Sequence, residues 1–215
     1  MENKIKLLVL DFDGTSCHFD NGNFGSSWDA FTSVCGVYDE LHSLLKKYYF
    51  QHEKEEFMTR EAGKLFRGKP ISLVESLRPI PYSDGLKDFL NSRNGNGIKI
   101  GFLSSGINIV VNEAASELNL DFSLSTELKS NRGFLTGEVG KIISLWNKEK
   151  FLYELLDNYS LSLNDLCYVG DNDNDISCLK LAKIGVAFNP KTEKTRRSAD
   201  YIISDFRELK NILNN

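Results

Sequence analysis

The sequence predicts an α/β fold in which helices flank a parallel sheet, with a small helical domain inserted near the N-terminus. Three observations predict it. Short apolar runs alternate with helix-period segments from residue 98 onward, their connections are short, and residues 16–79 carry helical patterns with no convincing strand. Strands joined through helices in this way pair in parallel, with both faces of the sheet covered.

The first element, L-L-V-L at 7–10, is a continuous apolar run of the kind a fully buried strand needs, and it ends in Asp11-Phe12-Asp13. Residues i and i+2 of an extended chain project to one face, so Asp11 and Asp13 crowd each other while Phe12 points the other way. Residues 16–79 then place Tyr38, Leu41, Leu44, Leu45 and Tyr48 at helical spacings of three and four. The junction R-P-I-P-Y-S-D-G closes this insertion. The expected domains are therefore residues 1–15 with 80–215 as the α/β core, and 16–79 as a helical insertion.

Residues 98–103 form the second expected strand, followed by a helix with Val111, Ala114 and Leu118 on one face. A hairpin is expected within 127–139, turning at Asn131-Arg132-Gly133. A helix burying Phe151, Leu152, Leu155, Leu156 and Tyr159 leads to the strand L-C-Y-V at 166–169, and short strands follow at 185–188 and 201–204. Asp205 and Glu208 have capping-box spacing for the last helix.

The composition of the 215 residues, 41% hydrophobic and 26% charged, is that of an ordinary globular chain, long enough for one core and a satellite domain. A net charge of −4 gives no electrostatic basis for binding nucleic acid. The basic cluster Lys191 to Arg197 is interrupted by Glu193 and reads as a solvated helix face. No apolar run approaches the roughly 18 residues that span a bilayer, and M-E-N-K-I-K leads straight into a strand, so a cytoplasmic location without a membrane partner is expected. Cys17, Cys35, Cys167 and Cys178 lack C-x-x-C spacing, and His18, His42 and His52 form no ligand-like cluster with them, which argues against structural zinc or a disulfide framework.

In parallel α/β sheets, ligands bind at the carboxyl ends of strands. Three polar motifs fall at such ends: Asp11 and Asp13, then Ser104-Ser105-Gly106, then G-D-N-D-N-D at 170–175. Asp173 reads as a turn or cap residue. The remaining carboxylates would repel strongly, by roughly 4 kcal/mol per pair at about 4 Å and an effective dielectric near 20. A hard divalent cation relieves that conflict, and Mg2+ suits oxygen ligands combined with a substrate phosphate. A hydroxyl, a glycine and a helix start at 104–107 suit an anion. Among Lys141, Lys148 and Lys150, Lys148 shares its helical stripe with Leu152 and Leu155 and so points inward, towards a phosphate dianion. Asp11 could then attack phosphorus to give an aspartyl-phosphate, while Asp13 protonates the leaving alkoxide and later deprotonates water.

In order, D-F-D-G-T, the serine of L-S-S-G, the lysine and G-D-x-x-N-D resemble the four motifs of the haloacid dehalogenase-like (HAD) superfamily. S-S-G-I-N-I-V, G-F-L-T-G and V-G-D-N-D-N-D-I look most like its phosphoserine phosphatase branch. That resemblance implies a Rossmann-like core with a small cap domain at 16–79, and a Mg2+-dependent phosphomonoesterase acting on a small phosphorylated metabolite, with phosphoserine the leading expectation. It implies Asp11 as nucleophile and Asp13 as acid/base. Ser104, Ser105, Gly106, Lys148 and Asn174 would bind phosphate, and Asp11, Asp13, Asp171 and Asp175 would serve the metal. The branch's cap glutamate and carboxylate-binding arginine would fall to Asp20 and to Arg60 or Arg67, with Trp28, Phe57 and Phe66 as cap core. A phosphotransferase or mutase of the same superfamily and a non-catalytic phosphate-binding module are the competing expectations. Oligomeric state is not legible in the sequence.

Overall fold

The computed structural model describes residues 4–20, 25–92 and 97–214. Six strands form one parallel sheet: β1 (Leu7–Leu10), β2 (Lys99–Ile107), β3 (Phe122–Thr126), then, beyond an antiparallel hairpin of β4 (Leu128–Asn131) and β5 (Phe134–Val139), β6 (Leu166–Gly170), β7 (Ile184–Phe188) and β8 (Tyr201–Ile203). Their order across the sheet is β3-β2-β1-β6-β7-β8. Chain order therefore grows outward in both directions from β1, whose carboxyl end is the topological switch point where such sheets bind ligands.

β1 is central because all four of its residues are inaccessible to solvent. Leu8 and Leu10 face a cluster with Phe102, Val169 and Phe188, while Leu7 and Val9 face another with Leu103, Leu152, Leu155 and Tyr168. This period-two split of a wholly apolar run is what a strand covered on both faces requires. Phe12 continues the first set, packing edge-on against Phe102 with ring centroids 5.1 Å apart. One buried ring thus fixes the direction in which the two flanking aspartates leave the strand.

Helices α1 (Ser27–Cys35), α2 (Tyr38–Tyr48) and α3 (Glu55–Leu65) lie between β1 and β2, with α4 (Leu86–Ser92) leading into β2. The outgoing and returning chains meet as a pair: Cys17 bridges Tyr82, and the amides of His18 and Ser83 donate to the carbonyls of Pro81 and Ser16. Phe66 is buried against Phe31 at 5.5 Å, but Phe57, expected in this core, is 48% exposed. The inward stripe of α3 runs through Thr59, Ala62 and Gly63 to Phe66, and Phe57 lies off it.

The second half contains α5 (Asn108–Glu117), α6 (Glu149–Tyr159), α7 (Ile176–Leu181), α8 (Glu193–Arg196) and α9 (Leu209–Asn214). The hairpin turns at Arg132 and Gly133, both with positive φ, the geometry whose twist matches antiparallel strands. The expected capping box of Asp205 and Glu208 is present. One strand boundary differs from expectation by more than a residue. β2 does not stop at residue 103 but runs through Ser104-Ser105-Gly106 to Ile107, with its register against β3 shifting after Leu103. The Ser104 hydroxyl accepts the Gly106 amide, so the chain bulges locally instead of turning into a helix. No helix among the described residues is long and apolar enough to cross a membrane.

Candidate active site

Asp11 follows β1 directly and is 4% exposed, with Oδ1 accepting the Phe12 amide at 2.8 Å. Among the described residues no hydrogen bond reaches its Oδ2. Asp13 leaves the same strand end and is held by the start of α1. The Ser27 amide donates to Oδ1 and its hydroxyl to Oδ2, both at 2.7 Å. A reciprocal box between Ser26 and Asp29 fixes that first turn, so a free N–H of the helix N-terminus aims at the carboxylate. Burial lifts the Asp13 pKa to about 6, against the opposing effect of the Ser27 hydrogen bonds. Burial, with Asp175 and Asp171 nearby, pushes Asp11 well above the carboxylate range, and Lys148 acts in the opposite direction. Two acids of one type thus occupy unlike environments.

Lys148 sits immediately before α6 and is fully buried, its Nζ 3.0 Å from Asp11 Oδ1 and 2.7 Å from Asp175 Oδ1. Burial would lower its pKa, but Asp11 and Asp175 outweigh that and hold the ammonium above its ordinary value. Asp175 is saturated: Oδ1 also accepts the Tyr168 hydroxyl at 2.6 Å, and Oδ2 accepts the amides of Asp171 and Asn172. Asp171 Oδ1 accepts the Thr15 hydroxyl at 2.9 Å. Asp173 stands apart, exposed and bound by the hydroxyls of Thr192 and Thr195, as a turn residue should be.

The chain brings together two residues that sequence patterns did not reveal. Ser27 is one, because it arrives from a helix beyond the motif it serves. Lys191 is the other: expected on a solvated face, it ion-pairs through Nζ with Asp171 Oδ2 at 2.7 Å while remaining 48% exposed. The strand-end rule could have found it, since Lys191 follows β7 by three residues. Gly14, at φ +85°, keeps this corner open, because a Cβ there would meet Lys191 Nζ at 2.5 Å and Asp171 Oδ2 at 2.6 Å. Gly106 does the same for Asp13 Oδ2, which a Cβ would meet at 2.7 Å.

Carboxylate oxygens of Asp11, Asp171 and Asp175 lie within 4.8 Å of one another, all buried. Asp13, expected with them, is not in that group because its carboxylate is turned to Ser27. Three carboxylates face two ammonium groups, so the ionised cluster carries one negative charge in excess. A hard divalent cation fits both the donor chemistry and this deficit. Asp11 and Asp171 are the better-disposed ligands: Asp11 Oδ2 accepts no hydrogen bond among the described residues and Asp171 Oδ2 meets only the half-exposed Lys191, whereas each oxygen of Asp175 accepts two hydrogen bonds.

Above this floor opens a cavity of about 370 Å³, lined below by Asp11, Asp13, Ser105, Asp171, Asn174 and Lys191. Ser104 lies just behind, 1% exposed. Neither expected cap arginine enters it. The Arg60 guanidinium binds Glu56 and the Val139 carbonyl, Arg67 packs beside Gly137, and Asp20 is exposed away from the lining. For Arg60 the physical reason is helical phase: α3 turns Thr59 and Ala62 to the cavity, so the residue after Thr59 points elsewhere, while Arg67 lies past the end of α3, where the chain carries it to Gly137. Arg60→Ala should therefore leave the kcat/KM for phosphate release within about twofold of wild type. A tenfold rise in KM would place that guanidinium on the substrate.

A family model described as haloacid dehalogenase-like hydrolase matches residues 113–212. The chain is 29% identical over 215 residues to the phosphoserine phosphatase of Methanocaldococcus jannaschii, covering 99% of this chain and 98% of that protein. It is 32% identical over 187 residues to the phosphoserine phosphatase of Streptococcus thermophilus, covering 86% and 84%. A solved structure of a phospho-aspartyl intermediate analogue of phosphoserine phosphatase superposes with a TM-score of 0.73 at 28% identity, covering 97% of this chain and 99% of that one. With its switch-point carboxylates and buried lysine, this chain belongs to the haloacid dehalogenase-like hydrolases, in their phosphoserine phosphatase-like branch.

Proposed function

We propose that this HAD-type phosphatase is a Mg2+-dependent phosphomonoesterase that works through an aspartyl-phosphate on Asp11. The carrying observation is Asp11 itself: one oxygen is held by Phe12 and faces Lys148, and the other is unbonded at the floor of the cavity. That second oxygen attacks phosphorus, and the bond to the ester oxygen breaks, its electron pair going to the leaving alkoxide. Asp13, whose raised pKa keeps a proton available near neutrality, protonates the alkoxide and then takes a proton from the water that cleaves the acyl phosphate. Lys148 balances the charge on Asp11 and the phosphoryl oxygens, with Ser104, Ser105, Gly106 and Asn174 around them. Asp11 and Asp171 would hold the Mg2+, which when bound neutralises charge on the transferring phosphoryl group. Helices α1 to α3, within residues 16–79, act as a cap that shields the intermediate from bulk water and contacts the esterified group.

Phosphate release from a phosphomonoester panel should require added Mg2+ and cease with EDTA. The thermal unfolding temperature should rise on Mg2+ addition as the carboxylate repulsion is relieved. Undiminished turnover in EDTA would remove the metal from this mechanism. Phosphoserine is the ester named for the relatives and belongs in the panel.

A further inference from the structure

The cavity has two chemically distinct ends, and the far end is apolar. Leu41 and Leu45 of α2, Tyr49 after it, Met58 of α3, and Leu145 and Trp146 from the loop before α6 form its roof. Trp146 is held flat, stacked on His52 at 3.9 Å and meeting Tyr49 edge-on. The only charged side chain lining the roof among the described residues is Glu55, and it is committed: its carboxylate accepts the Ser144 hydroxyl at 2.7 Å and the Leu145 amide. Among the described residues the only lining cation is Lys191, paired with Asp171 on the floor.

An amino-acid phosphoester carries a carboxylate and an ammonium on its alcohol portion. Its carboxylate would here meet no cation on the roof among the described residues, would share that roof with Glu55, and would give up hydration against leucines, a methionine and an indole. An uncharged hydrocarbon or aromatic group would instead meet leucines, a methionine and a preordered indole. Resting on the phosphomonoesterase reading above, we propose that the preferred substrate is a phosphomonoester of an apolar, aryl or branched alcohol rather than of a zwitterionic amino acid. The covalent steps are those already given, and the alcohol portion touches none of the reacting atoms except through its ester oxygen. Leu45 and Trp146 set specificity through KM.

The test uses wild-type protein with Mg2+ and two non-hydrolysable probes. Benzylphosphonate presents the apolar group, and 2-amino-4-phosphonobutyrate is the methylene isostere of phosphoserine. Calorimetric titration should show benzylphosphonate binding at least tenfold more tightly, and Trp146→Ala and Leu45→Ser should each erode that ratio below threefold while inorganic phosphate binds within twofold of wild type. A wild-type ratio below tenfold, or one that both substitutions leave intact, overturns the proposal. Turnover on benzyl phosphate and phosphoserine separates the two levels of inference. If neither ester releases phosphate but the binding preference holds, only the catalytic reading fails; faster turnover of phosphoserine with weak benzylphosphonate binding leaves catalysis intact and sinks the substrate class.

Discussion

Asp11→Asn should lower the rate of phosphate release by about 10⁴-fold or more, because the amide oxygen is a poor nucleophile and, among the described residues, no second carboxylate has an oxygen open at the same point. The same change should not weaken the protein. Asp11 lies beside Asp175 and Asp171 in a buried site, which raises its folded-state pKa. For a carboxyl shifted upward, folding is favoured below the unfolded-state pKa of roughly 3.9 and that advantage is lost as pH rises through the folded value. Asparagine cannot ionise, so in EDTA the variant's melting temperature should match wild type near pH 4 and equal or exceed it at pH 8. Residual turnover within tenfold of wild type would remove Asp11 from the nucleophile's role. A variant much less stable than wild type at pH 8 would contradict the strain assigned to the cluster.

Lys148→Ala should be damaging in both respects. The ammonium is fully buried between Asp11 and Asp175, and its removal leaves two buried carboxylates without their internal cation. Breaking such a pair from one side typically costs about 3–5 kcal/mol. In a chain of this size that corresponds to a fall in Tm of roughly 6–20 °C. Turnover should vanish as well, and Mg2+ should restore part of the lost stability, because it supplies positive charge to the same carboxylates. Lys141→Ala is the control. That lysine is partly exposed, its ammonium pairing with Glu154 at the surface and lying over the Phe151 ring, so its loss should cost about 1 kcal/mol. Equal melting temperatures for the two variants would show that burial has not amplified the Lys148 interactions.

Lys141 and Lys148 also illustrate how much of the site a linear pattern can carry. Helical phase distinguishes them, since Lys148 shares a stripe with Leu152 and Leu155, and the folded chain buries it with them. The parallel sheet was legible for a similar reason: in β1 and β6, burial on both faces demands unbroken apolar runs, and such runs stand out. Asp11, Asp13 and Asp171 follow at once, because each stands immediately after or within three residues of the end of such a strand.

What could not be read concerns groups that meet across space. Ser27 reaches Asp13 from the first turn of a helix 14 positions on, and Lys191 reaches Asp171 from beyond the next strand. The local pattern of Ser27 is that of an ordinary surface serine, and Lys191 is marked only by its place three residues after β7, which does not tell which carboxylate it meets. The orientation of α3 likewise decided that Thr59 and Ala62, not Arg60, line the cavity.

The sequence alone determined which strands are central and which carboxylates leave their ends, because strand burial and side-chain alternation are local properties of the chain. Only the tertiary structure decided which hydroxyl steadies Asp13, which cation pairs with Asp171, and that the cavity roof is apolar. Those depend on the relative rotation and approach of elements packed from remote parts of the chain, which no spacing within a single element encodes.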